Sequence, residues 1–168
     1  MSDRAEIWVF WIFTIPLLAS AAGVVVARNP VNAAISLVVS FFFLAGLYVL
    51  LMAHLLAFLQ VLVYAGAIMV LFLFVIMLLT TADDEIARTR LKAMQAFGVA
   101  GAAGVVAVVV SALAELGPLP MRLVGPDFGT VKAVGRILFT QYVLPFEATS
   151  LLLLVSIVGA VVVAKQRI

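Results

Sequence analysis

Few residues in this 168-residue sequence are able to do chemistry, and most of them stand alone. There is no cysteine, which excludes thiolate-held iron–sulfur clusters, disulfides and a nucleophilic thiol. His54 is the single imidazole, so neither a haem with two histidine ligands nor a multi-histidine metal site can be built from this chain alone. With no carboxylate close by in sequence, His54 reads first as a polar turn residue and only second as a ligand or proton relay. Glu147 is the one acid inside an apolar run and follows Pro145-Phe146. If Pro145 opens a helix, Glu147 falls in the first turn, where the helix dipole favours a carboxylate; deeper in a membrane it reads as a functional group.

The most informative stretch is Gln60 to Met77. Gln60 and Tyr64 lie four residues apart on one helical face, and both can hydrogen-bond where water is scarce. Ala65-Gly66-Ala67 follows as a narrow waist, with Met69 just beyond it. Glycine in a helix interior costs about 1 kcal/mol relative to alanine, so Gly66 needs a reason. One is close packing with Tyr64 at an interface. The other is a helix with two backbone states, able to hold a π-bulge.

The elements that must position these residues follow from composition. Hydrophobic residues make up 67% and charged residues 11%, which excludes a water-soluble fold. The chain has room for one compact all-α domain of five transmembrane helices. The spans are Ile7 to Ala27, Val31 to Met52, Leu55 to Leu79, Ala93 to Leu113 and Pro145 to Ala164, with one long loop from Glu115 to Gln141. The first span is too long for a signal-peptide core and lacks a basic leader, so it is read as retained despite Ala19-Ser20-Ala21. Pro16 removes a backbone hydrogen bond within it, and Trp8 and Trp11 suit the headgroup region. Asn29 and Pro30 are set to cap and open the second helix. The third span has 25 residues, about 37 Å of helix against a hydrocarbon core of about 30 Å, which leaves length for a bulge or tilt.

Between the third and fourth spans, Asp83, Asp84 and Glu85 precede Arg88, Arg90 and Lys92, an order that suits a solvated interfacial helix start. Gly98, Gly101 and Gly104 give the fourth span a small-residue stripe that invites a neighbouring helix. Lys132 to Phe139 has the pattern of a short amphipathic surface helix. The net charge is +2 and the basic residues sit at span ends, which is a topology signal and no nucleic-acid footprint. Six bases (Arg28, Arg88, Arg90, Lys92, Lys165, Arg167) against four (Arg4, Arg122, Lys132, Arg136) favour an outside, periplasmic amino terminus and a cytoplasmic carboxyl terminus.

The run Val63-Tyr64-Ala65-Gly66-Ala67-Ile68-Met69-Val70-Leu71-Phe72, with Arg28-Asn29-Pro30 ahead of it and residues 139–154 behind it, resembles subunit J of bacterial NADH:quinone oxidoreductase. That is the respiratory complex I subunit whose mitochondrial counterpart is NADH dehydrogenase subunit 6. The similarity covers nearly the whole chain and is thinnest over residues 115–135. It implies a five-helix subunit of the bacterial inner membrane, wedged between the quinone-channel subunit and the small subunit K. It implies a third helix with a π-bulge near Tyr64, Gly66 and Met69 that switches between resting and turnover states, and an acid at the place of Glu147. A register change of one residue would turn everything beyond it by about 100°.

The expected function is therefore that of an accessory subunit coupling quinone reduction in its neighbours to proton translocation. No catalytic site, cofactor or metal is expected in this chain; NADH, FMN, iron–sulfur clusters and quinone belong to other subunits of the complex. The expected surroundings are other membrane subunits and lipid, with no nucleic acid. The alternative is a membrane subunit of a multisubunit cation/proton antiporter, and a free-standing small transporter stands behind it.

Overall fold

The computed structural model describes residues 3–79, 91–115, 125 and 127–165, with the side chains of 3 and 91–97 left aside. The acidic and basic cluster from Asp83 to Arg90, and Arg122 and Arg167, lie outside these residues, as does the side chain of Lys92. Helices account for nearly all of what is described: α1 Asp3–Val26, α2 Pro30–Leu50, α3 His54–Leu59, a π-helical segment Gln60–Ile68, α4 Met69–Leu79, α5 Leu91–Glu115, α6 Val131–Thr140 and α7 Val143–Ala164. The third span is thus one rod of 26 residues, His54–Leu79, built from α3, the π segment and α4. Five helices are long and apolar enough to cross a membrane: those of the first, second and third spans, α5 and α7.

The chain forms two compact units, Met1–Leu78 with Gly125–Ile168, and Leu79–Val124. In the first unit, α1 runs unbroken through Pro16 and packs along α2. The connection is tight because Asn29 caps α2, its Oδ1 accepting from the Val31 N–H at 2.9 Å, while Pro30 fills the first helical position. Close approach of the two helices rests on Gly46: the Phe13 ring lies where a side chain at that position would stand. Phe13 also meets Phe43 edge to face at 6.4 Å. In lipid, such close contact replaces the hydrophobic drive that water would supply.

The corner from α2 to α3 comes two residues before the Met52 end read from the sequence. Met52 takes the left-handed conformation, φ 58°, with its N–H donating to the Val49 carbonyl while the Ala53 N–H reaches Tyr48 at 2.9 Å. This is a Schellman helix ending, for which glycine is the usual residue. Ala53 then has no side chain to cap α3. The missing acceptor comes from far along the chain: the Gly129 carbonyl accepts the Leu55 N–H at 2.9 Å. Gly129 has φ +70°, and a Cβ on it would collide with the Met52 carbonyl, so only glycine suits the place. Thr130 next caps α6, its Oγ1 accepting from the Ala133 N–H at 3.3 Å.

The second unit contributes α5. A Cβ added at Gly98, Gly101 or Gly104 of its small-residue stripe would meet nothing within 4 Å.

Candidate functional site

Buried residues on the third span are Ala57, Gln60, Ala65 and Met69, each at most 7% exposed. Their spacings of three, five and four are informative. An uninterrupted α-helix repeats a face every three or four residues, so a step of five turns the stripe away by more than a third of a circle. One extra residue in the π segment absorbs that step and keeps a single packed stripe. The backbone agrees with the side chains: the Met69 N–H donates to two carbonyls, that of Gly66 three residues back and that of Tyr64 five residues back.

Gln60 opens the segment and is buried at 6%, a polar amide in a stripe otherwise made of alanines and a methionine. Tyr64 is half exposed, with its ring edge to face on Phe41 of α2 at 5.9 Å. Gly66 has a local cause. A Cβ there would stand 3.3 Å from the carbonyl oxygen of Val61, five residues earlier and brought beneath it by the wider turn. A side chain at position 66 would press on the backbone of the π form itself. Met69 follows the segment directly and is the most deeply buried residue of the stripe, 3% exposed, its flexible thioether filling the space there.

Straightening the rod would remove the extra residue. Beyond it each position would pass to its predecessor, so Tyr64 would turn toward the place of Ala65 and Ile68 toward that of Met69. Tyr64 and Ile68 are now 49% and 50% exposed, so the two registers bury different side chains at the same depth.

The structure thus gathers Gln60, Tyr64, Gly66 and Met69 in or next to one π-helical segment and leaves the other candidates elsewhere. His54 is exposed at the corner that opens the third span. Glu147 is exposed on α7, and the first-turn reading of it is corrected: α7 begins at Val143, two residues before Pro145, so no acid lies in its first turn. Glu147 stands about 6 Å along a helix of about 33 Å, near one end. Phe146 beside it meets Phe139 of α6 edge to face at 4.8 Å. Among the described residues, no three His, Asp or Glu side chains gather as a metal site would require. Sequence reasoning missed Phe41 and the Val61 carbonyl, which no residue pattern announces. It also missed Gly129, for which the clue was an uncapped helix start at Ala53-His54.

The family model for NADH-ubiquinone/plastoquinone oxidoreductase chain 6 matches residues 20–163. The chain is 42% identical to NADH-quinone oxidoreductase subunit 10 of Thermus thermophilus over 158 residues, covering 89% of this chain and 84% of that one. It is 36% identical to NAD(P)H-quinone oxidoreductase chain 6 of Leptolyngbya boryana, covering 99% and 83% of the two chains. It is 35% identical to F(420)H(2) dehydrogenase subunit J of Methanosarcina mazei, covering 95% and 91%.

Proposed function

From the premise that this chain belongs to the NADH-ubiquinone/plastoquinone oxidoreductase chain 6 family, we propose that it is the transmembrane subunit that couples quinone reduction in neighbouring subunits to proton translocation. The relatives bear on where the chemistry lies. Their names carry NADH, NAD(P)H and F(420)H(2) as donors, so the donor changes while this membrane subunit is retained. A chain common to all three has no need of a nucleotide site, and its one histidine and absent cysteines fit a subunit with no catalytic site of its own. NADH, FMN, iron–sulfur clusters and quinone belong to its partners. The antiporter alternative is not favoured, since each relative named above is an oxidoreductase or dehydrogenase chain.

The observation that carries the mechanism is the five-residue step between Gln60 and Ala65 in the buried stripe. A bulged rod and a straight one are two discrete packings, and sites that bias one against the other are coupled through it. In the π register the small Ala65 faces the interior; in the straight register the Tyr64 ring takes its place and fills the space, while Ile68 for Met69 is an exchange of similar size. Exchange between the two would open or close a path for water and protons beside the quinone-channel subunit and the small subunit K, the neighbours we assign to this chain. Gln60 supplies a hydrogen-bonding amide at the pivot, Gly66 admits the bulge, and Met69 repacks. Glu147 receives no proton-transfer role in this reading, because it is exposed near the end of a different helix. The amino terminus is placed outside, following the balance of basic residues at span ends.

Density maps of the assembled complex at rest and during turnover test this. The expected result is one state with Ala65 and Met69 inward and another with Tyr64 and Ile68 inward. A single register in every state overturns the mechanism and leaves the family membership untouched.

A further inference from the structure

An open apolar groove of about 470 Å³ runs between α1, α2 and the start of the third span. Phe13, Phe42, Val49, Phe58 and Val61 line it, and His54 stands at its mouth. His54 opens α3 and Val61 lies seven residues further on, so the groove descends about 10 Å from the corner into the membrane. Its walls are apolar throughout, and its opening lies where a span meets the headgroup region.

What stands at that level is α6. Its first residues are held to the same corner by the Leu55–Gly129 hydrogen bond, and its last lead through Gln141 and Tyr142 into α7. A helix tied at both ends to the ends of spans on one side must lie along the membrane surface. Lys132, Arg136 and Thr140 follow one another at i, i+4 and i+8, forming an exposed polar row with two cations and no acid. Val134 and Leu138 on the other side are half-buried. Asp127 is the acid in the preceding turn, one turn of chain away from the row.

We propose that this corner is a binding site for one anionic phospholipid, an acyl chain lying in the groove and the headgroup phosphate resting against Lys132, Arg136 and His54. Charge decides the occupant. A partner helix would be satisfied by the apolar walls alone, whereas a phosphate at the mouth is matched by the bases of α6, a helix packed on α3 and bonded through Gly129 to the residue next to His54, and an acyl chain by the depth below. The bound chain would touch Val61, so the site sits against the first turn of the π segment.

The test uses the purified, assembled complex in phosphatidylcholine vesicles carrying a trace of diazirine-tailed phosphatidylglycerol or diazirine-tailed phosphatidylcholine, with crosslinks mapped by mass spectrometry. Labelling is expected on the peptides bearing Phe42, Val49 and Phe58, with phosphatidylglycerol preferred. An exposed charge contact contributes up to about fivefold, so K132Q/R136Q should erase a preference of at most about 25-fold. Val49→Phe, an exposed position that fills the groove, should abolish labelling by both probes while the complex still assembles. Equal labelling by the two probes in the unmodified protein overturns the proposal. So does an absence of lipid labelling accompanied by crosslinking of a photoreactive residue at position 49 to a neighbouring subunit, which would show the groove covered by protein.

Discussion

The third span and α7 are both long apolar helices, and they hold their polar residues in opposite ways. On the third span Gln60 is buried in a packed stripe and the backbone changes register to keep that stripe continuous. On α7 the acid Glu147 stands exposed, in a helix of 22 residues with no buried member and no interruption. The contrast teaches that ionisable chemistry and structural constraint are separable. A charge without packing constrains nothing around it, whereas the buried amide, alanines and thioether of the third span form one stripe that the π register keeps continuous.

The sharpest way to break this contrast is Gly66→Val. Crowding a backbone carbonyl costs about 1–3 kcal/mol, enough to shift a balance between two registers by about fivefold or more. Quinone-linked proton pumping in vesicles should fall several-fold while the assembled complex is recovered at near-normal yield; Gly66→Ala should give a smaller loss in the same direction. Unchanged pumping in Gly66→Val would mean that the π turn is only packing.

Next in size is Gly129→Ala, which attacks the fixed end of the same rod. The left-handed backbone alone costs about 1–2 kcal/mol for a residue with a Cβ, and the collision with Met52 adds to it. Thermal stability of the assembled complex should drop by about that amount, with activity per assembled complex retained. Loss of pumping at full stability would show instead that the corner takes part in switching.

Met52→Gly should act in the opposite direction. Relieving its left-handed backbone is worth up to about 1 kcal/mol, offset in part by the greater freedom of glycine in the unfolded chain. A small rise in unfolding temperature with unaltered turnover is the expected outcome.

Glu147→Gln should have the least effect, within about 0.5 kcal/mol of stability and with normal turnover, as for an exposed residue outside the first helical turn. Should it reduce pumping more than Gly66→Val, the contrast between the two helices would be reversed.

Much of this was legible in advance. Apolar run lengths specify five spans, Asn29-Pro30 specifies a tight hairpin, and Gly66 among strong helix formers marks a place where the backbone needs room. The end of α2 was not legible, because Met52 occupies a position where glycine usually signals the turn. The start of α7 was misjudged for a related reason: Pro145 suits the first helical residue, yet the first turn tolerates proline at its third position too, since those N–H groups have no intrahelical partner. Nor could spacing reveal the pairing of Leu55 with Gly129, since nothing local ties a loop glycine to a helix start in a distant part of the chain. Phe41 against Tyr64 is likewise a matter of which helix faces come together.

That distant pairing has a bearing on how the chain is made. The acceptor that completes the first turn of the third span is synthesised about seventy residues after the donor it serves. While the ribosome is still working on the intervening stretch, the third helix sits in the bilayer with its leading turn unfinished. The corner that opens the third span is therefore completed only when the segment before the last span folds back, so the start of this helix is finished after the rest of it has been made.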